Sequence, residues 1–145
     1  MKIEDIKKWF EIAKPNPTIE DACVQIGCHY EEVGEMATAT GDMEIRAYCE
    51  DASYYYKRQN VSCLSDLGLL TQGDAAKTEL LDALCDQVVT AIGVAHMLGM
   101  DIEGALDEVN KSNHSKFEDG KAVFDENGKI RKGKDYFPPD LTKFI

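Results

Sequence analysis

The chain has 145 residues, 27 acidic against 16 basic, for a formal net charge of -11. That length supports one domain with a buried core, and an apolar content of 43% excludes a wholly disordered chain. So acidic a surface repels nucleic-acid phosphates, which argues against a polymeric nucleic-acid partner.

Ile3, Ile6, Trp9, Phe10 and Ile12 recur at helical spacing and predict a first helix ending at Pro15-Asn16-Pro17. The opening MKIEDIKKWFEIAK is charged and amphipathic, without the apolar run of a signal peptide. Thr18, with Asp21 three residues on, forms a capping-box-like start to a long helix through IEDACVQIGCHYEEVGEMATAT, to about Gly41. A third helix fits DMEIRAYCEDASYYYKRQ, and the stretch from Asn60 to Gly73 gives no more than a short turn around SDLGLL. The fourth helix runs from Asp74 to Leu98, with Gly99 as its C-cap, and Asp101 opens a fifth, IEGALDEVNKSNHSKF.

Beyond Phe117 the pattern changes. AVFDENGKIRKG sets Asn127-Gly128 between short apolar pairs, a hairpin turn signal, and Pro138-Pro139 forbids a helix. The fold expected is all-α: a bundle of four to five helices over residues 1–117. An irregular C-terminal tail, 118–145, contains the short hairpin and packs on the same single domain. The five cysteines (Cys23, Cys28, Cys49, Cys63 and Cys85) include no CxxC pair, and those inside helical patterns act as small core hydrophobes. Together with the absence of a signal segment, they predict a reduced, cytoplasmic setting.

The most apolar stretch, LLDALCDQVVTAIGVAHMLGM, is long enough to cross a bilayer. Asp82 and Asp86 argue against insertion, at roughly 2.5–3.5 kcal/mol each near the centre of a span. Gln87 and His96 add to that cost, and no basic cluster flanks the segment. A helix apolar nearly all round is instead expected at the centre of a bundle, and no membrane partner is expected.

Its two aspartates then need explaining. Residues three or four apart share a helix face, so Asp82 with Asp86, and Glu32 with Glu35 in EEVGE, each present two carboxylates in one direction. Buried without compensation, such pairs take up protons rather than stay charged. Lys77 is the one basic residue between Arg58 and Lys111, so the compensating charge is expected from a metal ion. Hard oxygen donors without Cys or His suit Mg²⁺, or Mn²⁺ in its place. A di-iron bundle needs Glu-x-x-His on two helices, which is absent. The alternative is that both pairs are solvated faces, Asp82 and Asp86 marking the one stripe of their helix that reaches water. His29, His96 and His114 fit packing or surface roles. Eight of the basic residues fall from Lys111 onward, so an acidic body with a basic tail can hold a small, highly charged anion.

EEVGE, followed some fifty residues later by DALCDQVVTAIGVAHMLGMDIEGALDEVNKSNHSKF, resembles the MazG-like all-α nucleoside triphosphate pyrophosphohydrolases, whose pattern is EExxE and then ExxD on the next long helix. The tail resembles that of phage and bacterial single-domain members, and the likeness runs from about Thr18 to Leu141. It implies Mg²⁺-dependent hydrolysis of (deoxy)nucleoside triphosphates at the α–β phosphate bond, giving a nucleoside monophosphate and pyrophosphate. The role implied is nucleotide-pool control, with dGTP or dATP as candidate substrates.

Carried over by position, Glu32 and Glu35 match the metal-binding glutamates, Glu31 the first acid of EExxE, and Asp86 the aspartate of ExxD. The glutamate of ExxD falls on Ala83, a departure from the pattern. Either Asp82 takes over as ligand, or Glu79-x-x-Asp82 is the true ExxD, shifted by a turn. The metal set implied is Glu32, Glu35, Asp82 and Asp86, with Glu31 a candidate base. Asn113 and Lys116, helped by Lys111 and Lys121, match the residues that take the substrate's phosphates. The likeness also implies a homodimer or homotetramer, in the host cytoplasm if phage-encoded. Ala83 keeps open a non-catalytic alternative, a nucleotide-binding or oligomerisation module.

Overall fold

The computed structural model describes residues 3–126 and 128–145. Asn127 of the expected Asn127-Gly128 turn lies outside the described residues, as do the first two residues of the N-terminal segment. Among the described residues the regular structure is six α-helices and a closing 3₁₀ turn: α1 (Ile3–Ala13), α2 (Ile19–Thr40), α3 (Met43–Lys57), α4 (Val61–Leu70), α5 (Asp74–Met97), α6 (Ile102–His114) and the turn Thr142–Phe144. The all-α expectation holds.

The helix ends follow the local chemistry of the chain. At the start of α2, Thr18 Oγ1 accepts from the Asp21 amide and the Asp21 carboxylate accepts from the Thr18 amide, so two amides without a helical partner are satisfied reciprocally. Gly41 stops α2 in the left-handed region at φ 85°, its amide returning to the Ala37 and Thr38 carbonyls. Asp42 caps α3 through the Ile45 amide, and Asp101 caps α6 through the Gly104 amide.

The chain divides into two compact units, Asn16–Lys77 and Met1–Pro15 with Thr78–Ile145. In the first, α2 and α3 pack closely because α2 carries glycines at a heptad spacing. A Cβ on Gly27 would stand 2.8 Å from the Ser53 carbonyl oxygen, and one on Gly34 would stand 3.1 Å from Cys49 Cβ. Gly27 faces the C-terminal half of α3 and Gly34 its middle, so the helices run antiparallel. Small residues let the backbones approach, and the core there is Cys23, Val24, Ala37, Cys49, Cys63 and Ser53.

The stretch expected to hold only a short turn is the ten-residue helix α4. What fixes it is tertiary: Cys63 is buried, with its sulfur 3.0 Å from that of Cys23 on α2, and a helix this short is marginal without such packing.

In the second unit, α1 lies on α6, where Trp9 Nε1 donates to the Asn113 carbonyl at 2.8 Å and the Trp9 ring stacks on Phe117. The tail is strapped to α6. Ser112, 2% exposed, donates to the Phe137 carbonyl at 2.8 Å, and the Phe137 amide donates to Ser115 Oγ. The tail's hairpin reduces to isolated bridges, Glu118 with Lys121 and Phe124 with Ile130.

α5 departs from expectation. Instead of forming the enclosed centre of a bundle, it is exposed at every residue from Lys77 to Ile92, and Ala95 is its one buried residue. The apolar pattern had signalled burial, which most of the described residues of α5 do not show. α5 is also long and apolar enough to cross a membrane by length and composition.

Candidate functional site

The acidic run EEVGE lies mid-way along α2, and α3 decides what it faces. Glu31 and Glu35, four residues apart, line a groove of about 270 Å³ with Gly34 of α2 and Arg46, Glu50, Ser53, Tyr54 and Lys57 of α3. The Lys57 ammonium donates to Glu31 Oε2 at 2.8 Å, both side chains being about two-thirds or more covered. Arg46 reaches Glu50 Oε1 from Nε at 2.7 Å and from Nη2 at 2.6 Å, while its Nη1 donates to Thr38 Oγ1 at 2.5 Å. Three carboxylates thus sit among two fixed cations. Glu32, expected to pair with Glu35 as ligand, is exposed and outside that lining; the pair sharing the groove is Glu31 with Glu35.

Glu50, Arg46 and Lys57 were absent from the sequence expectation. Their signal was present in the spacing: Gly27 and Gly34 on α2 mark the closely packed face, and Arg46, Glu50, Ser53 and Lys57 repeat at three- and four-residue steps on α3.

Asp82 and Asp86 are exposed on α5. At 100° per residue they lie together on one stripe, roughly opposite the stripe of Leu81, Leu84, Val88 and Ile92. The sequence placed them on one face, and so they are; the burial that demanded a counter-ion is not found within the chain. Ala83 and Glu79 are exposed on the same helix.

The expected phosphate-binding residues come from α6 and the loop after it. Lys116 Nζ donates to Asn113 Oδ1 at 2.7 Å and stands 6.0 Å over the Trp9 ring, so both are part of the joint between α1 and α6. Lys111 is exposed and pairs with Asp107 at 3.7 Å one turn back. Lys121 is exposed, its backbone tied to Glu118.

Whether Mg²⁺ fits is a matter of donor chemistry and of number. Carboxylate oxygens are its proper donors, and it is commonly held by one or two carboxylates, completed by substrate phosphates and water. Glu31 with Glu35 in the groove offers two such carboxylates, Glu31 being held by Lys57. Among the described residues no group of three or more His, Cys, Asp or Glu converges to hold a metal alone, so any such site must be completed by its ligand.

Away from the acidic pairs, Cys23 and Tyr56 are shifted by their surroundings. Burial, then the hydrogen bond with Cys63, pushes the Cys23 thiol up to about 12; burial, with Tyr30 stacked at 5.8 Å, raises the Tyr56 phenol. Neither is poised to react at neutral pH. The molecule is of the all-α class, with an acid-and-cation groove between two antiparallel helices. Comparison with protein-family models, with curated proteins and with solved structures finds no match.

Proposed function

We propose that the protein hydrolyses (deoxy)nucleoside triphosphates at the α–β phosphate bond, water supplying the oxygen, to release a nucleoside monophosphate and pyrophosphate. The observation that carries this reading is the α2–α3 groove, where carboxylates and guanidinium or ammonium groups stand side by side. A metal–triphosphate complex needs both, carboxylates for the cation and fixed positive charge for the phosphate oxygens. Glu35, beside Glu31 in that groove, is the proposed ligand of Mg²⁺, or of Mn²⁺ in its place; Glu32, Asp82 and Asp86, which the sequence pattern also put forward, are not in the groove lining and are no part of this site. The ion's contribution would be to polarise phosphate oxygens and acidify water. Glu31 is the proposed proton acceptor, Lys57 holding its carboxylate in place. Arg46 and Lys57 of the groove are proposed to face the phosphate oxygens, with control of deoxynucleotide pools, dGTP or dATP included, as the cytoplasmic role; Asn113 and Lys116, put forward by the sequence pattern, are engaged in the α1–α6 joint instead.

The test is a panel of nucleoside triphosphates with and without Mg²⁺, the products resolved as pyrophosphate or orthophosphate. Pyrophosphate release that falls at least a hundredfold in Glu35→Ala supports the assignment; an unaltered rate removes it. A second reading, a nucleotide-binding or oligomerisation module without turnover, is favoured by Ala83 and by the exposed length of α5. Calorimetric binding of Mg²⁺-dNTP with no product after long incubation selects it.

A further inference from the structure

Cys23 of α2 and Cys63 of α4 are forty positions apart in the chain, and their sulfurs stand 3.0 Å from each other. Both are thiols, 0% and 3% exposed, and the contact lies wholly within the unit Asn16–Lys77. A thiol is a weak donor and a weak acceptor, so the hydrogen bond between them does little to hold α4 on α2. Packing alone does not call for sulfur on both sides of the contact. What sulfur adds is the bond it can form: a disulfide spans about 2.0 Å, so a shift of about 1 Å would close this pair.

α4 is the element that can open. Its N-cap Asn60 makes no side-chain cap bond, a ten-residue helix is marginal by itself, and Gly68 within it lowers its helix preference. α2, by contrast, runs for 22 residues with a capping box at its start and Gly41 at its end. Local opening of α4 costs less than unfolding the unit. It brings Cys63 to solvent and leaves Cys23 in place on α2.

We propose that Cys23 and Cys63 are a reversible modification site, closing to a disulfide that staples α4 to α2, with a low-molecular-weight disulfide such as oxidised glutathione as the oxidant. When α4 opens, Cys63 gives its proton to solvent and its sulfur attacks one sulfur of the small disulfide. The bond of that disulfide breaks, and one small thiol leaves and takes up a proton. Cys23 then attacks the Cys63 sulfur of the mixed disulfide. The Cys23–Cys63 bond forms, the mixed bond breaks, and the second small thiol leaves with the proton given up by Cys23. The protein pair loses two electrons, the small disulfide is reduced to two thiols, and excess small thiol reverses the exchange. Burial, then Cys63 itself, pushes the Cys23 thiol up to about 12 in the closed fold, so Cys63 makes the first attack and Cys23 resolves it. Neither sulfur lines the α2–α3 groove, and the staple does not depend on the proposed reaction.

The test equilibrates reduced protein, without oxygen, in glutathione buffers of rising oxidised fraction, once folded and once in concentrated urea. Acid quenching, alkylation and peptide mass with fragmentation then identify each cysteine's state. A cross-link over a loop of this length disfavours the unfolded chain by two to three powers of ten, so the closed-to-open ratio of Cys23–Cys63 is expected about a hundredfold or more higher in the folded protein than in urea. Reduced glutathione reopens the pair, and Cys23→Ser, which lacks the resolving thiol, accumulates a glutathione adduct on Cys63. The wild-type ratio needs no substitution, so it stands whether or not that variant folds. A ratio no greater in the folded protein than in urea overturns the proposal. So does closure that prefers Cys28, Cys49 or Cys85, or a folded chain whose Cys23 and Cys63 remain thiols in fully oxidised glutathione while the chain in urea reacts.

Discussion

Gly27→Ala sets two helix rules against each other. In an exposed helix interior the change gains up to about 1 kcal/mol from backbone entropy. At Gly27 the new methyl carbon would stand 2.8 Å from the Ser53 carbonyl oxygen, 3.1 Å from the Lys57 amide nitrogen and 2.7 Å from Lys57 Cγ. The lysine methylenes can turn aside, but the backbone atoms can move only if α3 does. Restoring ordinary contact parts the helices by about half an ångström, and overpacking of this kind costs about 1–3 kcal/mol. Gly68→Ala on α4 is the control, since a Cβ there meets nothing within 4 Å and only the favourable contribution remains. Subtracting one variant's stability from the other cancels that contribution and leaves about 1–3 kcal/mol of crowding, or at least about 4 °C in melting temperature for a unit of this size. The assay is thermal unfolding by circular dichroism at 222 nm. Gly27→Ala melting at or above Gly68→Ala would refute the close approach of α2 and α3, and with it the groove those helices form.

Two other consequences are open to measurement. Cys23 is neutral in the fold, with its acidity displaced from 9.0 to about 12 by burial and by Cys63. Its contribution is therefore fully present below pH 9 and lost as pH rises toward 12. Denaturant titrations across that window should show a steeper loss of stability in the wild type than in Cys23→Ala, and equal slopes would refute the shift. Ser112→Ala leaves the Phe137 carbonyl without its donor at a position 2% exposed. We expect a loss of about 1–3 kcal/mol, together with faster proteolytic cleavage after residue 118 as the tail loosens; an unchanged cleavage rate would count against the strap.

Most helices were legible because their signals are local. Thr18 with Asp21, Gly41 and Gly99 carry start and stop chemistry in the residues themselves, and their neighbours carry the apolar period. α4 was not legible, because its helicity depends on Cys63 meeting Cys23 forty positions away. The groove was half legible. EEVGE announces carboxylates on a helix, but which of them face a partner depends on the rotation of α2 against α3, and Gly27 and Gly34 set that rotation by permitting contact on one side only. Hence Glu31 enters where Glu32 was expected, and Glu50, Arg46 and Lys57 come in from a helix whose sequence carries no motif. The pattern of α5 said that cover is needed without saying where it comes from, since apolar periodicity records a demand for burial and nothing about its source.

Asp82 and Asp86 look anomalous only if α5 is apolar all round. Resolved into stripes, the helix has Leu81, Leu84, Val88 and Ile92 on one side and Glu79, Asp82, Asp86 and Thr90 on the other. Two carboxylates four residues apart on a solvated stripe repel by a few tenths of a kcal/mol, which a stable helix tolerates. Removing them into hydrocarbon or a dry core would cost several kcal/mol each. Those unequal costs restrict what can cover α5. Cover that takes the apolar stripe and leaves the acidic one in water satisfies both.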